Sequence, residues 1–99
     1  MKTTSERPGI STSESEPIVA NVVIGEDRFT FELEDGRTIS APFAWFPRLR
    51  DASPAQREKW TQFGDGSAIW WPEIDEHISA QGVLDGKVSY ELIRERKAQ

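Results

Sequence analysis

The feature that most constrains this chain is an alternation of apolar and polar residues in its first half. Phe29, Phe31 and Leu33 alternate with polar residues, and a period of two places every second side chain on the same face of a strand. Two turn sequences, Gly25-Glu26-Asp27 and Glu34-Asp35-Gly36, divide the segment into three parts. The pattern therefore predicts a three-stranded antiparallel meander with one apolar face.

The second turn determines the register of this meander. A two-residue loop at Asp35-Gly36 is the common hairpin type, but it would turn Ile39 onto the polar face. A three-residue loop with a left-handed Gly36 instead pairs Phe31 with Ile39 and keeps a single apolar face. We therefore predict the three-residue loop with its bulge, together with the pairs Phe29–Ala41, Val22–Phe31 and Ile24–Phe29.

The remainder of the chain predicts short helices and one further strand. Ser53-Pro54-Ala55-Gln56 has the residues of a capping box, with Ser as N-cap and Pro at the first helical position. We predict that this helix runs to about Trp60. Ser79 is expected to cap a later short helix that Gly86 stops. Residues 68–71 are rich in aromatic and β-branched side chains and predict a fourth strand.

These elements predict an α+β fold, a small antiparallel meander of three to four strands with short helices packed on one face. Residues 1–17 are polar and rich in Ser, Thr and Glu, and we expect a mobile tail. Residues 18–86 are predicted to form a single domain, and residues 87–99 a helix-prone tail whose Tyr90 and Ile93 could dock on the body. The predicted core is Val22, Ile24, Phe29, Phe31, Leu33, Ile39, Phe46, Leu49, Trp60, Ile69 and Leu84.

Composition excludes several classes of function. The chain has no Cys and one His, which excludes disulfides and thiolate metal sites. It has neither a membrane-length apolar stretch nor the apolar run of a secretory signal, so we expect a cytoplasmic protein. His77 and Asp75 supply only two of the three or four ligands that a metal needs. Glu73 and Asp75 could imitate a glycosidase pair, but so small a domain offers no obvious cleft. We therefore expect no metal, no cofactor and no enzymatic activity.

The negative charge is concentrated in one segment. Residues 60–86 contain no Lys or Arg but five carboxylates, which equals the net charge of −5 of the whole chain. Such a segment repels nucleic acid, so direct nucleic-acid binding is not expected, and it attracts a basic protein. A solvated acidic face that only keeps the protein soluble is the alternative. Adjacent strand residues point to opposite faces, so one of the paired tryptophans is left as an interface candidate. The predicted partner-binding residues are Asp65, Trp70, Trp71, Glu73, Asp75 and Glu76.

Four runs of the sequence carry a resemblance to a known family. They are SAPFAWFPRL at 40–49, ASPAQREKW at 52–60, GDG at 64–66 and IWWPEIDEHIS at 69–79. In the order and spacing of their Trp, Pro and acidic residues, they resemble the small bacterial domain-of-unknown-function family 2442, over about residues 18–86. His77 and Trp70 depart from the family pattern, where many relatives have a carboxylate and a His.

The resemblance implies an antitoxin-like role. Members of the family are often encoded beside a protein of domain-of-unknown-function family 4160, in a layout like a toxin–antitoxin pair. The expected partner is then a small basic protein encoded by an adjacent gene. Two alternatives stay open: a stand-alone domain that binds a small ligand or carbohydrate through an exposed Trp, and an accessory domain that self-associates through a sheet edge as a homo-oligomer. Reversal of Asp75 and Glu76 to Lys is expected to weaken partner binding and spare the fold.

Overall fold

The structure is a computed structural model that describes residues 16–97. Residues 1–15 of the predicted N-terminal tail and residues 98–99 of the predicted C-terminal tail lie outside the described residues. The elements in chain order are β1 (Val19–Ile24), β2 (Arg28–Leu33), β3 (Thr38–Pro42), a 3-10 turn (Phe43–Trp45), α1 (Pro47–Arg50), α2 (Pro54–Arg57), β4 (Thr61–Phe63), β5 (Ala68–Trp71), β6 (Glu76–Ser79), α3 (Ala80–Leu84) and α4 (Tyr90–Lys97).

The strands form two three-stranded antiparallel sheets, with the orders β1–β2–β3 and β4–β5–β6. Together with the short helices, they confirm the predicted α+β class. The first sheet is the predicted meander, and the predicted strand at residues 68–71 is β5. The sequence pattern does not predict β4 or β6, because three or four residues are too few for an alternation to stand out.

The register of the first sheet agrees with the prediction. Phe31 pairs with Ile39 and Phe29 pairs with Ala41, and the predicted pairs of the other hairpin are also present. Gly36 has a φ of 96°, a left-handed conformation that glycine adopts without steric cost. The three-residue loop is therefore confirmed, and the apolar residues of the three strands share one face.

The core lies where the apolar faces of the two sheets meet. The Phe29 ring is central to it, because its centroid lies 6.0 Å from the Trp71 ring and 5.6 Å from the Phe46 ring. Phe29 belongs to the first sheet and Trp71 to the second, and both are fully buried. Contact between these two rings therefore joins the sheets into one core.

Most of the predicted core residues are buried. Ile24, Ile39 and Trp60 are half-buried and pack against the edge of the core, whereas Leu84 is 42% exposed and lies outside it. The prediction for Leu84 is wrong because α3 turns Val83 inward, and the next helical residue points roughly 100° away.

Both predicted helix caps are present. The Ser53 hydroxyl oxygen accepts the backbone N–H of Gln56 at 3.1 Å, and Gln56 Oε1 accepts the backbone N–H of Ser53 at 3.0 Å. These reciprocal bonds are the predicted capping box. Ser79 caps α3 by accepting a backbone N–H at 2.9 Å. The helix that Ser53 starts ends at Arg57 and not at about Trp60, because the chain turns there toward β4.

Helix α4 packs on the body through Leu92, which the sequence analysis did not predict as a contact. Leu92 is buried, whereas Tyr90 is 68% exposed and Ile93 is 39% exposed. The backbone N–H of Ser89 donates to the carbonyl oxygen of Trp45 at 3.0 Å and holds the start of the helix. The predicted docking of Tyr90 and Ile93 is therefore wrong.

Within residues 16–97, the helices lack the combination of length and apolarity that crossing a membrane requires.

Candidate functional site

The outer face of the second sheet carries exposed aromatic side chains. Residues that pair directly in an antiparallel sheet share a face, and Trp70 pairs with Thr61 on one side and His77 on the other. Phe63 lies two residues beyond Thr61 on β4 and therefore has the same orientation. We call the surface formed by Thr61, Phe63, Trp70 and His77 the aromatic face.

Phe63 is a strongly exposed member of the aromatic face, with 52% of its surface accessible. Its ring lies edge-on to the His77 imidazole, with 4.6 Å between the centroids. This contact joins β4 to β6 across the middle strand β5. It is possible because Ala68, the β5 residue that pairs with Phe63, has only a methyl side chain between them. Phe63 is absent from the residues predicted to bind a partner, because β4 is too short to show its strand period.

The two adjacent tryptophans have opposite environments, as the alternation of a strand requires. Trp71 is fully buried, and its Nε1 donates to the carbonyl oxygen of Arg57 at 3.0 Å. This burial corrects the predicted partner-binding set, because Trp71 has no surface that a partner could contact. Trp70 is half-buried on the outer side of β5 and is the interface candidate of the pair.

The exposed acidic residues lie at opposite ends of the second sheet. Asp65 belongs to the turn between β4 and β5, whereas Glu73 and Asp75 belong to the turn between β5 and β6. Consecutive turns of an antiparallel meander fall at opposite ends of its strands. The structure therefore corrects the expectation that these carboxylates share one rim around the two tryptophans.

Two of the exposed carboxylates have cationic partners from the preceding basic segment. Glu73 forms an ion pair with Lys59 at 3.0 Å, and Asp75 forms one with Arg48 at 3.3 Å. Arg48 also donates to the backbone carbonyl oxygen of Asp75. These contacts reduce the local negative charge, and ion pairs this exposed contribute little to stability.

Asp65 is kept ionised by hydrogen bonds within its own turn. Its Oδ1 accepts the backbone N–H of Ser67 at 3.0 Å. Hydrogen bonds from Ser67 hold the pKa of Asp65 below its ordinary value, because they favour the ionised carboxylate. Asp65 therefore stays negative beside Phe63 across the neutral pH range.

Glu76 is buried on the inner face of the second sheet, opposite Trp71. It is 8% exposed; its Oε2 accepts the backbone N–H of His77 at 3.2 Å, and its Oε1 has no hydrogen-bond partner. Burial raises the pKa of Glu76, because a low-dielectric environment disfavours the charged form. The prediction of Glu76 as a surface binding residue is wrong. Its reversal to Lys would bury an uncompensated charge and could not spare the fold.

Glu76 also lines a cavity of about 240 Å³. The walls come from β6, from α3 and from the segment that leads into α4, and they include Lys87, Ser89 and Glu91. The sequence gives no signal for this cavity, because its walls come from separate elements that only the fold brings together.

The described chain, residues 16–97, contains no group of three or more His, Cys, Asp or Glu able to hold a metal ion. The two residues weighed as ligands have other contacts. Asp75 pairs with Arg48, and the His77 ring packs against Phe63. Neither contact brings the Asp75 carboxylate and the His77 imidazole together as ligands of one metal ion.

Comparisons with known proteins identify relatives without an assigned activity. The family model described as "Protein of unknown function (DUF2442)" matches residues 19–89. A crystal structure of a protein of unknown function from Rhodospirillum rubrum ATCC 11170 is similar to this chain, with a TM-score of 0.69 and 25% sequence identity. The similarity covers 78% of this chain and 95% of the other. No curated protein matches the chain.

Proposed function

The chain belongs to the DUF2442 family of proteins of unknown function, and from this premise and the aromatic face we propose that it is a non-enzymatic protein-binding module. Its partner is a small basic protein encoded by an adjacent gene, which it neutralises in the cytoplasm of a bacterium as an antitoxin does. The antitoxin role comes from the resemblance described above.

The aromatic face is the observation that carries the proposal. Phe63 and Trp70 lie on the same side of the second sheet, and Phe63 has 52% of its surface exposed. Large apolar side chains gain free energy when a partner removes them from water. Tryptophan is also among the residues that contribute most often to binding hot spots. This face therefore supports a docking function better than a purely structural one.

Charge supports a basic partner. Asp65 stays ionised at the Phe63 end of the aromatic face, and Glu73 lies in the turn at the other end. Of the five carboxylates in residues 60–86, Glu73 and Asp75 pair with Lys59 and Arg48 and Glu76 is buried, which leaves Asp65 as the carboxylate beside the aromatic face that has no ion pair among the described residues. A cationic partner would be attracted over a distance of about one Debye length, roughly 8 Å at physiological salt. Such attraction mainly increases the association rate.

A pull-down from co-expression tests the proposal. The tagged full chain is expressed with the product of the adjacent gene, and a stable complex is expected. Trp70→Ala and Phe63→Ala should each weaken the complex by about tenfold or more, since truncation of a hot-spot side chain costs at least about 1.4 kcal/mol. Val23→Ala is the matched control, because Val23 is 46% exposed on the first sheet, outside the aromatic face.

Two results would contradict different parts of the proposal. If both aromatic variants bind as tightly as the wild type, the aromatic face is not the interface. If no complex forms and the adjacent gene product is harmless when expressed alone, the antitoxin-like role is wrong. Oligosaccharide binding that depends on Trp70, without any protein partner, would favour the carbohydrate-binding alternative.

A further inference from the structure

The outward side of α4 is a surface that the proposed function does not use. An α-helix turns by about 100° per residue, so the side chains that point away from the buried Leu92 include two cations as well as Tyr90 and Ile93. We call the surface formed by Tyr90, Ile93, Arg94 and Lys97 the basic helix face. All four of its side chains are exposed, so the face is open to a partner.

The charges of α4 are divided between its two sides. Glu91 and Glu95 lie one turn apart on the side that faces the body. Glu91 forms an ion pair with Arg48 at 2.8 Å, and Glu95 forms one with Arg50 at 3.0 Å. The carboxylates of the helix are therefore neutralised by the body and do not balance the cations on the outward side.

The cations near the end of the described chain also differ from those before them. The Arg and Lys residues from 28 to 59 pair with carboxylates, except Arg57, which donates to two backbone carbonyl oxygens. Within residues 16–97, no ion pair includes the four cations that follow, which are Lys87, Arg94, Arg96 and Lys97. In a chain of net charge −5, this region is a local patch of the opposite sign.

The composition of the basic helix face favours a protein as its occupant. Tyr and Arg are enriched at protein–protein interfaces. Tyr90 and Arg94 already lie together, with 5.7 Å between the guanidinium carbon and the ring centroid, a cation–π distance. Ile93 adds an apolar side chain that is 39% exposed, and the apolar side chain of a partner could cover it. The positive charge requires that such a partner be acidic.

Other anionic surfaces fit this face less well. A nucleic-acid backbone is recognised mainly through its phosphates, and it would leave Tyr90 and Ile93 without an apolar partner. A membrane surface needs more buried apolar area than two side chains provide. Both are also repelled by the net negative charge of the chain, whereas a short polypeptide segment needs to approach only the helix.

We propose that the basic helix face binds an acidic segment of a protein, whose carboxylates pair with Arg94 and Lys97 and whose apolar side chain packs on Tyr90 and Ile93. The charge of this surface is opposite to that of the aromatic face, so the two surfaces take segments of different chemistry. The proposal does not depend on the function proposed above, because a synthetic peptide tests it directly.

An NMR titration of the full ¹⁵N-labelled chain tests the surface. The probe is the peptide acetyl-Glu-Asp-Leu-Glu-Glu-Leu-Asp-Glu-amide. One control peptide has Ser in place of each Leu, and a second has Lys in place of each acidic residue. Saturable shifts are expected for the backbone N–H signals of Ile93, Arg94 and Lys97 with the probe. The Ser peptide should bind at least about tenfold more weakly, since it lacks the apolar contact, and the Lys peptide should not bind.

Matched variants connect the binding to the basic helix face. Arg94→Gln combined with Lys97→Gln should weaken binding by about fivefold, because two exposed ion pairs are lost. Arg28→Gln combined with Arg37→Gln removes the same charge beside the turns of the first sheet and should bind nearly as the wild type does.

Tyr90→Ser tests the apolar contact and should also weaken binding. In the spectrum of each free variant, an unchanged backbone N–H signal of Leu92 shows that α4 is still docked. This signal separates the loss of a contact from detachment of the helix.

Several outcomes would overturn the proposal. These are no saturable shifts with the probe, equal binding of the Ser peptide, or unchanged binding by both the double variant of α4 and Tyr90→Ser. Binding that does not weaken as the NaCl concentration is raised would also contradict it, since exposed charges are screened by salt. A short DNA duplex of random sequence and vesicles of equal parts phosphatidylserine and phosphatidylcholine are titrated in parallel. Tighter binding of either one than of the peptide would show that the face recognises phosphates and not a protein.

Discussion

Replacement of each adjacent tryptophan by phenylalanine separates the core from the surface of the second sheet. Trp71 is fully buried, and its Nε1 donates to the carbonyl oxygen of Arg57 at 3.0 Å. Trp71→Phe removes this donor, which costs about 1 to 3 kcal/mol if the carbonyl stays buried. It also removes two buried ring carbons, which adds about 1.6 kcal/mol at roughly 0.8 kcal/mol each. We expect the free energy of unfolding to fall by about 3 kcal/mol.

Trp70→Phe is the matched control, because the same substitution is made one residue earlier on the same strand. Trp70 is half-buried on the outer side of β5, so its replacement should cost less than about 1 kcal/mol. Urea unfolding followed by far-UV circular dichroism measures both values without relying on tryptophan fluorescence. Equal losses for the two variants, or a larger loss for Trp70→Phe, would refute the assignment of Trp71 to the core.

Three further predictions concern stability and are measured by urea unfolding. Because burial raises the pKa of Glu76, the folded chain keeps this proton to a higher pH than the unfolded chain, and the resulting stabilisation is lost as the pH rises through the raised value. Glu76→Gln should therefore gain stability relative to the wild type as the pH rises above the ordinary range of a glutamate, and a constant difference would contradict this. Gly66→Ala should cost about 1 kcal/mol more than Gly36→Ala; both glycines have positive φ, but only at Gly66 would the added Cβ lie 3.0 Å from a neighbouring side chain. Ser53→Ala should cost about 1 kcal/mol by removing the capping bond of α2, and an unchanged midpoint would show that this cap contributes nothing.

Only part of the candidate site was predictable, because some of its residues are placed by their sequence neighbours and others only by distant parts of the chain. From sequence alone, strand alternation shows that one of Trp70 and Trp71 faces outward, and Asp65 stands out through its place in a Gly-rich turn. Phe63 and the cavity walls do not stand out, since β4 has three residues and the walls come from separate elements. A short strand has a recognisable period only after its partner strand is known.

The ion pairs of the acidic segment also could not be predicted from the sequence. The sequence places five carboxylates in residues 60–86 and a mildly basic segment before them. It does not show that Lys59 reaches Glu73 or that Arg48 reaches Asp75. Those pairs depend on how the turn between β5 and β6 packs against the helical segment. The electrostatic field around the acidic segment therefore could not be predicted from composition.

The sequence by itself determined the local features whose constraints lie within a few residues. The register of the first sheet followed from the need to keep Phe31 and Ile39 on one face, and the cap of α2 followed from the chemistry of Ser53 and Gln56. Strand alternation also required Trp70 and Trp71 to face opposite sides. Only the tertiary structure decided that Trp71 faces inward and that Glu76, its partner across the strands, is buried with it. The physical reason is that burial depends on which surfaces pack together, and the surface that covers this side of the second sheet comes from parts of the chain far away in sequence.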